Sequence, residues 1–315
     1  MRHITLRHWR SFEAAAACGS FSRAADALAL TQPAVSMQIA QMEKAVGRPL
    51  FDKNGRPMRL TAAGQLMLRH ARALLAEQRA AEDAVATLAG RFSGLLRLGL
   101  VAPANYFVPA LLQAFRLDHP GVQVQLLMDK REALLTRLQD QRLDLAICGY
   151  PPGDTDLEAL AFARHPHLMV VQGLHPLAAH GAVAWADLAG EPVVLREHGS
   201  VTRQLMAHLL EVHRLRLPVA AELPGNESVK QAVMAGLGLS LMSAHAIQLE
   251  LEVARLAALP LPDIPLRLDW CLLYPRDQPL SEAARGMREI LLRDGRALTA
   301  CRLDAAPALV VPTNR

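Results

Sequence analysis

The chain has 315 residues, of which 51% are hydrophobic and 20% are charged, and its formal net charge is +4. This length predicts about two domains, because one hydrophobic core seldom grows beyond ~250–300 residues. The composition excludes a fully disordered chain, and no apolar run reaches the ~18 residues that a membrane span needs. The start of the sequence lacks the apolar core of a signal peptide, so we expect a cytoplasmic protein with no membrane partner.

The spacing of the cysteines and the distribution of charge further limit which class of protein this can be. The four cysteines, Cys18, Cys148, Cys271 and Cys301, lie far apart and form no CxxC pair. We therefore expect buried free thiols rather than a disulfide or a zinc site. Residues 1–60 carry nine basic and four acidic residues, whereas the rest of the chain sums to −1. A basic head on a neutral body suggests a polyanion partner at one end.

Capping residues and apolar periodicity predict three short helices in the basic head. Thr5 caps the first helix, and Gly19 ends it. Ser20 caps the second, and Thr31 caps the third, whose first turn accommodates Pro33. The side chains expected to face inward are Leu6, Trp9, Phe12 and Ala16, then Phe21, Ala24, Ala25 and Leu28, then Val35, Ile39, Met42 and Val46.

The second and third helices, joined by a tight turn, form a helix-turn-helix whose third helix presents small and polar side chains outward. Such a face fits the major groove of double-stranded DNA, which admits one helix. Gln32 and Gln41 can read base edges, and Pro33 can touch a thymine methyl group. An ordinary three-helix bundle with a solvated face remains the alternative at this point.

A basic hairpin follows the third helix. Asn54-Gly55 is a strong hairpin-turn signal, and Lys53, Arg56 and Arg59 crowd the tip. A basic hairpin after a recognition helix is a wing that grips phosphates. The complete set of predicted DNA contacts is Ser22, Arg23, Thr31, Gln32, Pro33, Ser36, Met37, Gln41, Lys53 and Arg56.

Several segments of the head together resemble the LysR-type transcriptional regulators, and the resemblance runs through most of the chain. They are Phe21-Ser-Arg-Ala-Ala25, Leu30-Thr-Gln-Pro-Ala-Val-Ser-Met-Gln-Ile39, Glu43, Gly47-Arg-Pro-Leu-Phe51 and Leu60-Thr-Ala-Ala-Gly64. The resemblance implies an all-α winged helix-turn-helix domain over residues 1–61. Many members carry a basic residue where this chain has Ala40, which would cost one contact between the recognition helix and the DNA backbone.

A long proline-free segment after the head is rich in helix formers, and we expect a linker helix over residues 62–89. Its heptad seam, which is apolar except for Gln78, consists of Met67, Ala71, Leu74, Gln78, Ala81, Val85 and Leu88. This narrow seam favours pairing with a second chain over packing on its own domain, and the resemblance implies the same. The dimer would read the two half-sites of a palindromic promoter. Family members usually form a homotetramer, a dimer of dimers, and RNA polymerase is a further conceivable partner.

The remaining sequence alternates strands and helices, which predicts an α/β fold with a parallel sheet. The predicted strands are 95–101, 122–127, 143–148, 168–171, 192–196, 239–243 and 266–274. The predicted helices are 107–119, 131–141, 203–213, 228–235 and 281–292. From residue 296 the sequence loses its periodicity, which predicts a frayed tail.

For this region the resemblance implies a two-lobed effector domain, similar to periplasmic binding proteins, with two crossover strands between the lobes. We place a hinge at 90–94, lobe I at 95–163 and 269–300, and lobe II at 164–268. Residues 301–315 are predicted to be a flexible tail.

A ligand site is expected where strands end and helices begin. In open parallel sheets, ligands bind beyond the carboxyl ends of the strands, and helix N-termini favour anions. Plain helix capping is the alternative for each segment. The predicted effector-binding set is Ala102, Pro103, Ala104, Asn105, Lys130, Arg131, Gly149, Arg196, Gly199, Ser200, Thr202, Arg203, Asn226 and Glu227.

Within the family, several segments resemble the regulators of Calvin-cycle carboxylase operons. They are Tyr106-Phe-Val-Pro109, Lys130-Arg-Glu132, Leu195-Arg-Glu197, Gly199-Ser200, Thr202-Arg203 and Asn226-Glu-Ser-Val-Lys-Gln-Ala232. This similarity implies an activator of carbon-fixation genes that responds to a small anion, either a phosphorylated metabolite or a reduced nicotinamide nucleotide. It makes Lys130 and Arg131 candidate phosphate partners.

The sequence contains no recognisable catalytic or cofactor motif. Gly236-Leu-Gly238 lacks a third spaced glycine, and no GxSxG, HExxH or GxxxxGK[ST] pattern occurs. His165-Pro-His167 has no accompanying carboxylate or cysteine cluster, so we interpret it as a loop rather than a metal site. We expect no enzyme activity, no cofactor and no metal.

Two rival functions remain. A solute-binding component of a transport system would need a secretion signal and would not bind DNA. An α/β enzyme with an accessory domain would need a nucleophile–base or metal constellation.

Overall fold

The structure, a computed structural model, describes residues 4–52, 58–88, 94–153, 156–276 and 278–301. In the long helix it does not describe the side chains of 79, 80, 83, 84 and 86–88. The chain divides into two compact units, Met1–Arg91 and Phe92–Arg315, which are described separately.

The N-terminal unit contains the predicted helix-turn-helix. Its helices are α1 (Leu6–Cys18), α2 (Phe21–Ala27) and α3 (Gln32–Val46), and Thr5, Ser20 and Thr31 are their N-cap residues. A short hairpin follows, in which β1 (Phe51–Asp52) pairs antiparallel with β2 (Arg59–Leu60). The turn of this hairpin, with Lys53 and Arg56, lies outside the described residues.

The core of the N-terminal unit is built from the predicted inward faces. Trp9, Phe12, Val35, Ile39 and Met42 are buried, and the Phe12 ring meets Phe51 edge-on. The expectation for Leu6 is wrong, because its side chain is 43% exposed. As the first residue of α1 it points back past the helix start, beyond the packed turns.

The long helix α4 (Ala62–Leu88) begins directly after β2. Gly64 lets it approach the hairpin, since a Cβ at this residue would lie 2.1 Å from the Leu50 carbonyl oxygen. Met67 and Ala71 are buried in the core of this unit, which corrects the prediction that they pair with a second chain. Of the later seam residues, Leu74, Ala81 and Val85 are exposed, and Gln78 accepts a hydrogen bond from Arg10. The Leu88 side chain lies outside the description.

The described part of the C-terminal unit alternates strands and helices. The strands are β3 (Gly94–Leu100), β4 (Val122–Met128), β5 (Leu145–Cys148), β6 (Leu157–Gln172), β7 (Val193–Arg196), β8 (Val219–Leu223), β9 (Ser240–Ser243), β10 (Leu256–Ala258) and β11 (Leu266–Pro275). The helices are α5 (Val108–Asp118), α6 (Arg131–Gln139), α7 (Val201–Val212), α8 (Gly225–Met234), α9 (Ala244–Glu252) and α10 (Glu282–Leu298). Short 3-10 helices lie at Ala102–Tyr106, Pro176–Ala179 and Trp185–Leu188.

The main sheet has the strand order β10-β6-β11-β5-β3-β4, and β9 pairs with β6. As predicted, β3 runs parallel to β4 and β5. The strands β6 and β11 pair antiparallel along their length and connect two hydrophobic cores. Phe115 and Ile290 belong to the first core, and Met169 and Val193 belong to the second. The two lobes and two crossover strands are therefore present, while the exact lobe boundaries stay a prediction.

The interpretation of His165-Pro-His167 as a loop is wrong, because both histidines are buried within β6. This strand starts at Leu157, well before the predicted residue 168. Pro166 suggests a break in the sequence, but it precedes the first residue that pairs with β9. On the side of β6 that faces β9, no backbone N–H is therefore needed at Pro166.

The end of the chain also differs from the prediction. Helix α10 continues to Leu298 rather than ending near 292, and Thr299 and Cys301 are buried. Helix α9 and strands β8 and β10 were not predicted. Cys148 and Cys271 are buried as well, as expected, whereas Cys18 is only half-buried. The predicted hinge, apart from Gly94 at the start of β3, and residues 302–315 lie outside the described residues.

Candidate nucleic-acid interface and ligand cleft

The outward surface of α2 and α3 holds most of the predicted DNA contacts. Exposed there are Ser22, Arg23, Thr31, Gln32, Pro33, Met37 and Gln41, whereas Ser36 is half-buried. Lys44 is exposed one turn beyond Gln41. The structure therefore brings these side chains to one helix-turn-helix surface, as the periodicity predicted.

Local hydrogen bonds hold this surface in place. The Thr31 hydroxyl accepts a hydrogen bond from the Ala34 N–H (3.4 Å) and so caps α3. The Glu43 carboxylate accepts the N–H groups of Leu50 (2.8 Å) and Phe51 (3.3 Å), which ties α3 to the hairpin. Among the described residues, Arg23 and Lys44 have no carboxylate partner, so the surface keeps its positive charge for a polyanion.

We use the name cleft for the region of the C-terminal unit beyond the carboxyl ends of β3, β5 and β7, where residues of the two predicted lobes meet. The N-termini of three helices also point here, since Lys130 is the N-cap of α6, Ser200 is the N-cap of α7, and Asn226 lies in the first turn of α8. The arrangement matches the expected position of a ligand site in an open α/β sheet.

At this site, two hydrogen bonds join residues of the two predicted lobes. Lys130 Nζ, from lobe I, donates to the carbonyl oxygen of His198 at 3.4 Å. The Tyr106 hydroxyl donates to Glu227 Oε1 at 2.6 Å. Burial, together with this hydrogen bond, raises the pKa of Tyr106 to about 12, so the phenol stays a proton donor. Residues of both lobes are therefore within hydrogen-bonding distance of each other.

The arginines expected to bind an anion are already paired. Arg196 donates to both carboxylate oxygens of Glu197 (2.7 and 2.9 Å) and to Asn226 Oδ1. Arg203 Nη1 lies 2.6 Å from Glu222 Oε2. These hydrogen bonds lower the pKa of Glu197 to about 2 and also lower the pKa of Glu222. The two guanidinium groups thus offer less charge to a ligand than the sequence suggested.

The start of α6 holds two cations that no carboxylate neutralises among the described residues. One is Lys130. The other, Arg131, stacks over the Tyr150 ring at 4.1 Å and donates to the Tyr150 carbonyl oxygen at 3.5 Å. Its Nε is buried and has no hydrogen-bond partner in the described part of the chain.

Other predicted ligand residues have mainly structural surroundings. Ala104 is fully buried in the lobe I core, so its side chain cannot face a ligand, while Asn105 is exposed. Ala102 and Pro103 are half-buried, and Ser200 and Thr202 are largely buried. A Cβ at Gly149 would lie 2.7 Å from the His165 ring, so this glycine allows β5 to end against β6. Gly199 has a φ of +82° and lies beside Lys130.

Sequence reasoning assigned no contact to several residues that shape the cleft. Lys230 is buried, and its Nζ lies 2.7 Å from Glu227 Oε1 and 2.8 Å from Glu250 Oε1. Tyr106, Glu197 and Lys230 all fall within segments that carried the subgroup resemblance, which was the available signal. The sequence contained no comparable signal for Glu222 and Glu250.

The described residues form neither a metal site nor a membrane-spanning helix. No group of three histidine, cysteine, aspartate or glutamate side chains is placed to hold a metal ion. No helix in the described ranges has both the length and the apolar character to cross a membrane.

A basic winged head, a long helix and a two-lobed α/β unit with a cleft define a ligand-responsive DNA-binding protein. The family model of the LysR substrate binding domain matches residues 89–296. The model of the bacterial regulatory helix-turn-helix protein, lysR family, matches residues 6–65. The chain belongs to the LysR family of transcriptional regulators.

Similar proteins agree with this assignment. The chain is 40% identical over 301 residues to the RuBisCO operon transcriptional regulator of Allochromatium vinosum, covering 96% of this chain and 99% of that protein. It is 41% identical over 282 residues to the regulator CbbR of Rhodospirillum rubrum, covering 90% and 94%. The regulatory domain of CcmR from Synechocystis PCC6803, solved in complex with 2-PG, is 31% identical with a TM-score of 0.61, covering 64% of this chain and 97% of that one. These similarities favour a regulator over a transport component.

Proposed function

We propose that this protein controls a carbon-fixation operon, binding a palindromic promoter site as a dimer or a dimer of dimers. A small, phosphorylated anion in the cleft alters its binding or bending of DNA. The names of the relatives from Allochromatium vinosum and Rhodospirillum rubrum support the operon class. We further propose that the protein acts in the cytoplasm and binds its effector without converting it, and that it uses no cofactor or metal.

The observation that carries the effector proposal is the uncompensated pair Lys130 and Arg131 at the start of α6. Backbone N–H groups and the helix dipole favour an anion at a helix N-terminus, and these cations add charge there. The buried Nε of Arg131 is a donor without an acceptor, which a phosphate oxygen would supply. The CcmR domain supports the ligand class, since its structure contains 2-PG.

Binding at Lys130 would change a contact between the lobes. In the structure Lys130 Nζ donates to His198, a neutral carbonyl 3.4 Å away. A phosphate would replace this acceptor with a charged one and so favour a different lobe arrangement. A ligand shifts such an equilibrium only by its difference in affinity for the two arrangements.

Footprinting of the promoter with and without 2-PG tests the switch, and calorimetry with 2-PG and inorganic phosphate tests the site. We expect a changed footprint and, for Lys130→Met, about a tenfold or greater loss of 2-PG affinity. Lys44→Met, which removes a cation from the other unit, is the matched control and should leave 2-PG binding unchanged. An unchanged footprint across phosphorylated metabolites would refute the switch.

For DNA, we propose that the outward residues of α3 read bases and that the wing residues Lys53 and Arg56 bind phosphates. Gln32→Ala is expected to relax base choice at one position by ~1–3 kcal/mol. Arg56→Ala is expected to weaken binding to every sequence and to flatten the salt dependence. Gel shifts on specific and random duplexes separate the two roles. If both variants weaken the two duplexes equally, the division is wrong.

We propose that the exposed seam residues of α4 mediate dimerisation, with Leu74 and Val85 as its apolar members. Leu74→Glu combined with Val85→Glu is expected to yield monomers by light scattering, because the charges would be buried in the seam. Arg69→Glu, on an exposed position of the same helix outside the seam, is the control. RNA polymerase remains a further candidate partner for the DNA-bound form.

A further inference from the structure

A short chain of hydrogen bonds connects α1 to the outward surface of α3. The backbone N–H of Thr5 donates to His8 Nδ1 at 3.1 Å, and the Thr5 hydroxyl lies 2.7 Å from the same nitrogen. His8 Nε2 lies 2.8 Å from Gln41 Oε1. Thr5 is the N-cap of α1, and His8 occupies the position that glutamate or glutamine takes in a capping box.

These contacts assign the protons. His8 Nδ1 accepts from a backbone N–H, so the neutral ring carries its proton on Nε2. Nε2–H therefore donates to the Gln41 oxygen, which turns that oxygen toward α1. Gln41 is exposed and has no other hydrogen-bond partner among the described residues. Its amide NH₂ is the group left to meet a ligand.

We infer that His8 is a positioning residue for base recognition: it orients Gln41 so that the amide NH₂, and not the oxygen, faces the major groove. The inference rests on the proposal that α3 reads bases. A free glutamine commonly pairs with adenine through both amide atoms. A glutamine whose oxygen is held by His8 presents a donor alone, which matches the acceptors of guanine, thymine and adenine N7. Cytosine offers its N4 amino donor instead, so Gln41 discriminates against cytosine.

The packing of α1 on α3 does not depend on this hydrogen bond. One turn further along α1, the buried Ser11 hydroxyl donates to Gln38 Oε1. Phe12 and Val35 are fully buried in the core that α1 and α3 share. Replacing His8 should therefore free the Gln41 amide without moving α3.

The test uses the full-length protein and duplexes that it selects from a randomised pool. Dissociation constants are measured for all four base pairs at each half-site position. Gln41→Met is expected to lose about tenfold discrimination against cytosine at one position. His8→Leu should lose ~3- to 10-fold at the same position and bind a random duplex with unchanged affinity. The double variant should lose no more than Gln41→Met alone, because both changes break one interaction.

Conservative variants separate positioning from folding. His8→Gln, whose amide can donate to Gln41 Oε1, should restore the discrimination, whereas His8→Phe should not. Thermal melting identifies variants that are unfolded. If His8→Leu does not fold, the binding profile of His8→Phe takes its place in the test.

The other outcomes separate the role of His8 from base reading by Gln41. If Gln41→Met alters the profile and the His8 variants do not, the inference is overturned while base reading by α3 stands. If Gln41→Met changes no position, the proposed reading by Gln41 fails as well. If the His8 variants weaken random and selected duplexes equally, or His8→Gln does not restore discrimination, the role of His8 is structural and the inference is overturned.

Discussion

Basic side chains in the cleft and on the helix-turn-helix surface have different neighbours. In the cleft Arg196, Arg203 and Lys230 lie 2.7, 2.6 and 2.7 Å from carboxylate oxygens. On the helix-turn-helix surface, Arg23 and Lys44 have no carboxylate partner among the described residues. The first group is held in ion pairs with neighbouring carboxylates, and the second remains available to phosphates.

This difference shows that positive charge alone does not mark an anion site. Arg196 and Arg203 were predicted ligand residues, yet the carboxylates of Glu197 and Glu222 neutralise their charge. Among the predicted ligand residues, Lys130 and Arg131 differ from these arginines, because no carboxylate neutralises them in the described part of the chain. Anion binding should therefore depend on whether a carboxylate already neutralises each cation, and not on the number of basic residues. Four experiments test this distinction.

The largest expected effect is on stability at Lys230. Lys230→Met should lower the unfolding free energy of the C-terminal unit by about 2–3 kcal/mol, because Glu250, only 16% exposed, loses its cation. Arg276→Met is the control, since Arg276 and Glu158 are both about half exposed and their pair should contribute less than ~0.5 kcal/mol. Urea denaturation of the full chain measures both. Equal, small losses would remove the distinction between the two kinds of ion pair.

The next effect separates paired from unpaired cations in ligand binding. We expect Arg203→Met to lower 2-PG affinity less than about threefold, against tenfold or more (~1.4 kcal/mol) for Lys130→Met. The reason is that Glu222 already holds the Arg203 guanidinium. Calorimetry under identical buffer conditions compares the variants. Equal losses would mean that Arg203 contacts the ligand despite its carboxylate.

A smaller effect concerns acid stability. The hydrogen bonds from Arg196 lower the pKa of Glu197 to about 2 from an ordinary 4.5. The charged carboxylate therefore contributes stability that is present above pH 4.5 and is lost as the pH falls toward 2. Glu197→Gln should cost about 1 kcal/mol at pH 7, after allowance for solvent screening, and almost nothing near pH 2. Unfolding free energies of the wild type and of Glu197→Gln, measured between pH 2 and pH 7, test this prediction. A difference between the two proteins that does not change with pH would contradict it.

The smallest effect is on DNA affinity. Lys44→Met should weaken selected and random duplexes by the same factor, about two- to threefold at 0.1 M salt, and should reduce the salt slope by about one per subunit. A titration of both duplexes against salt concentration measures this. A loss confined to the selected duplex would assign Lys44 to base reading instead.

Local features of the sequence were reliable guides to the fold. Thr5, Ser20 and Thr31 are the N-cap residues as predicted, and the hydroxyls of Ser20 and Thr31 accept capping hydrogen bonds that span only three residues. The buried strand around His165 was missed, because Pro166 reads as a break unless the neighbouring strand is known. The end of α10 was missed as well, since Thr299 and Cys301 are buried only through contacts with distant parts of the chain.

The sequence by itself determined the helix-turn-helix, the alternation of strands and helices, and the positions of helix starts around the cleft. These depend on periodicity and on capping contacts within one helical turn. Only the tertiary structure decided which cations are neutralised and how Gln41 is oriented. His8 and Gln41 are 33 residues apart, and Tyr106 and Glu227 are 121 apart. Hydrogen bonds and ion pairs require atoms within ~3–4 Å, and chain folding alone sets that separation for distant residues.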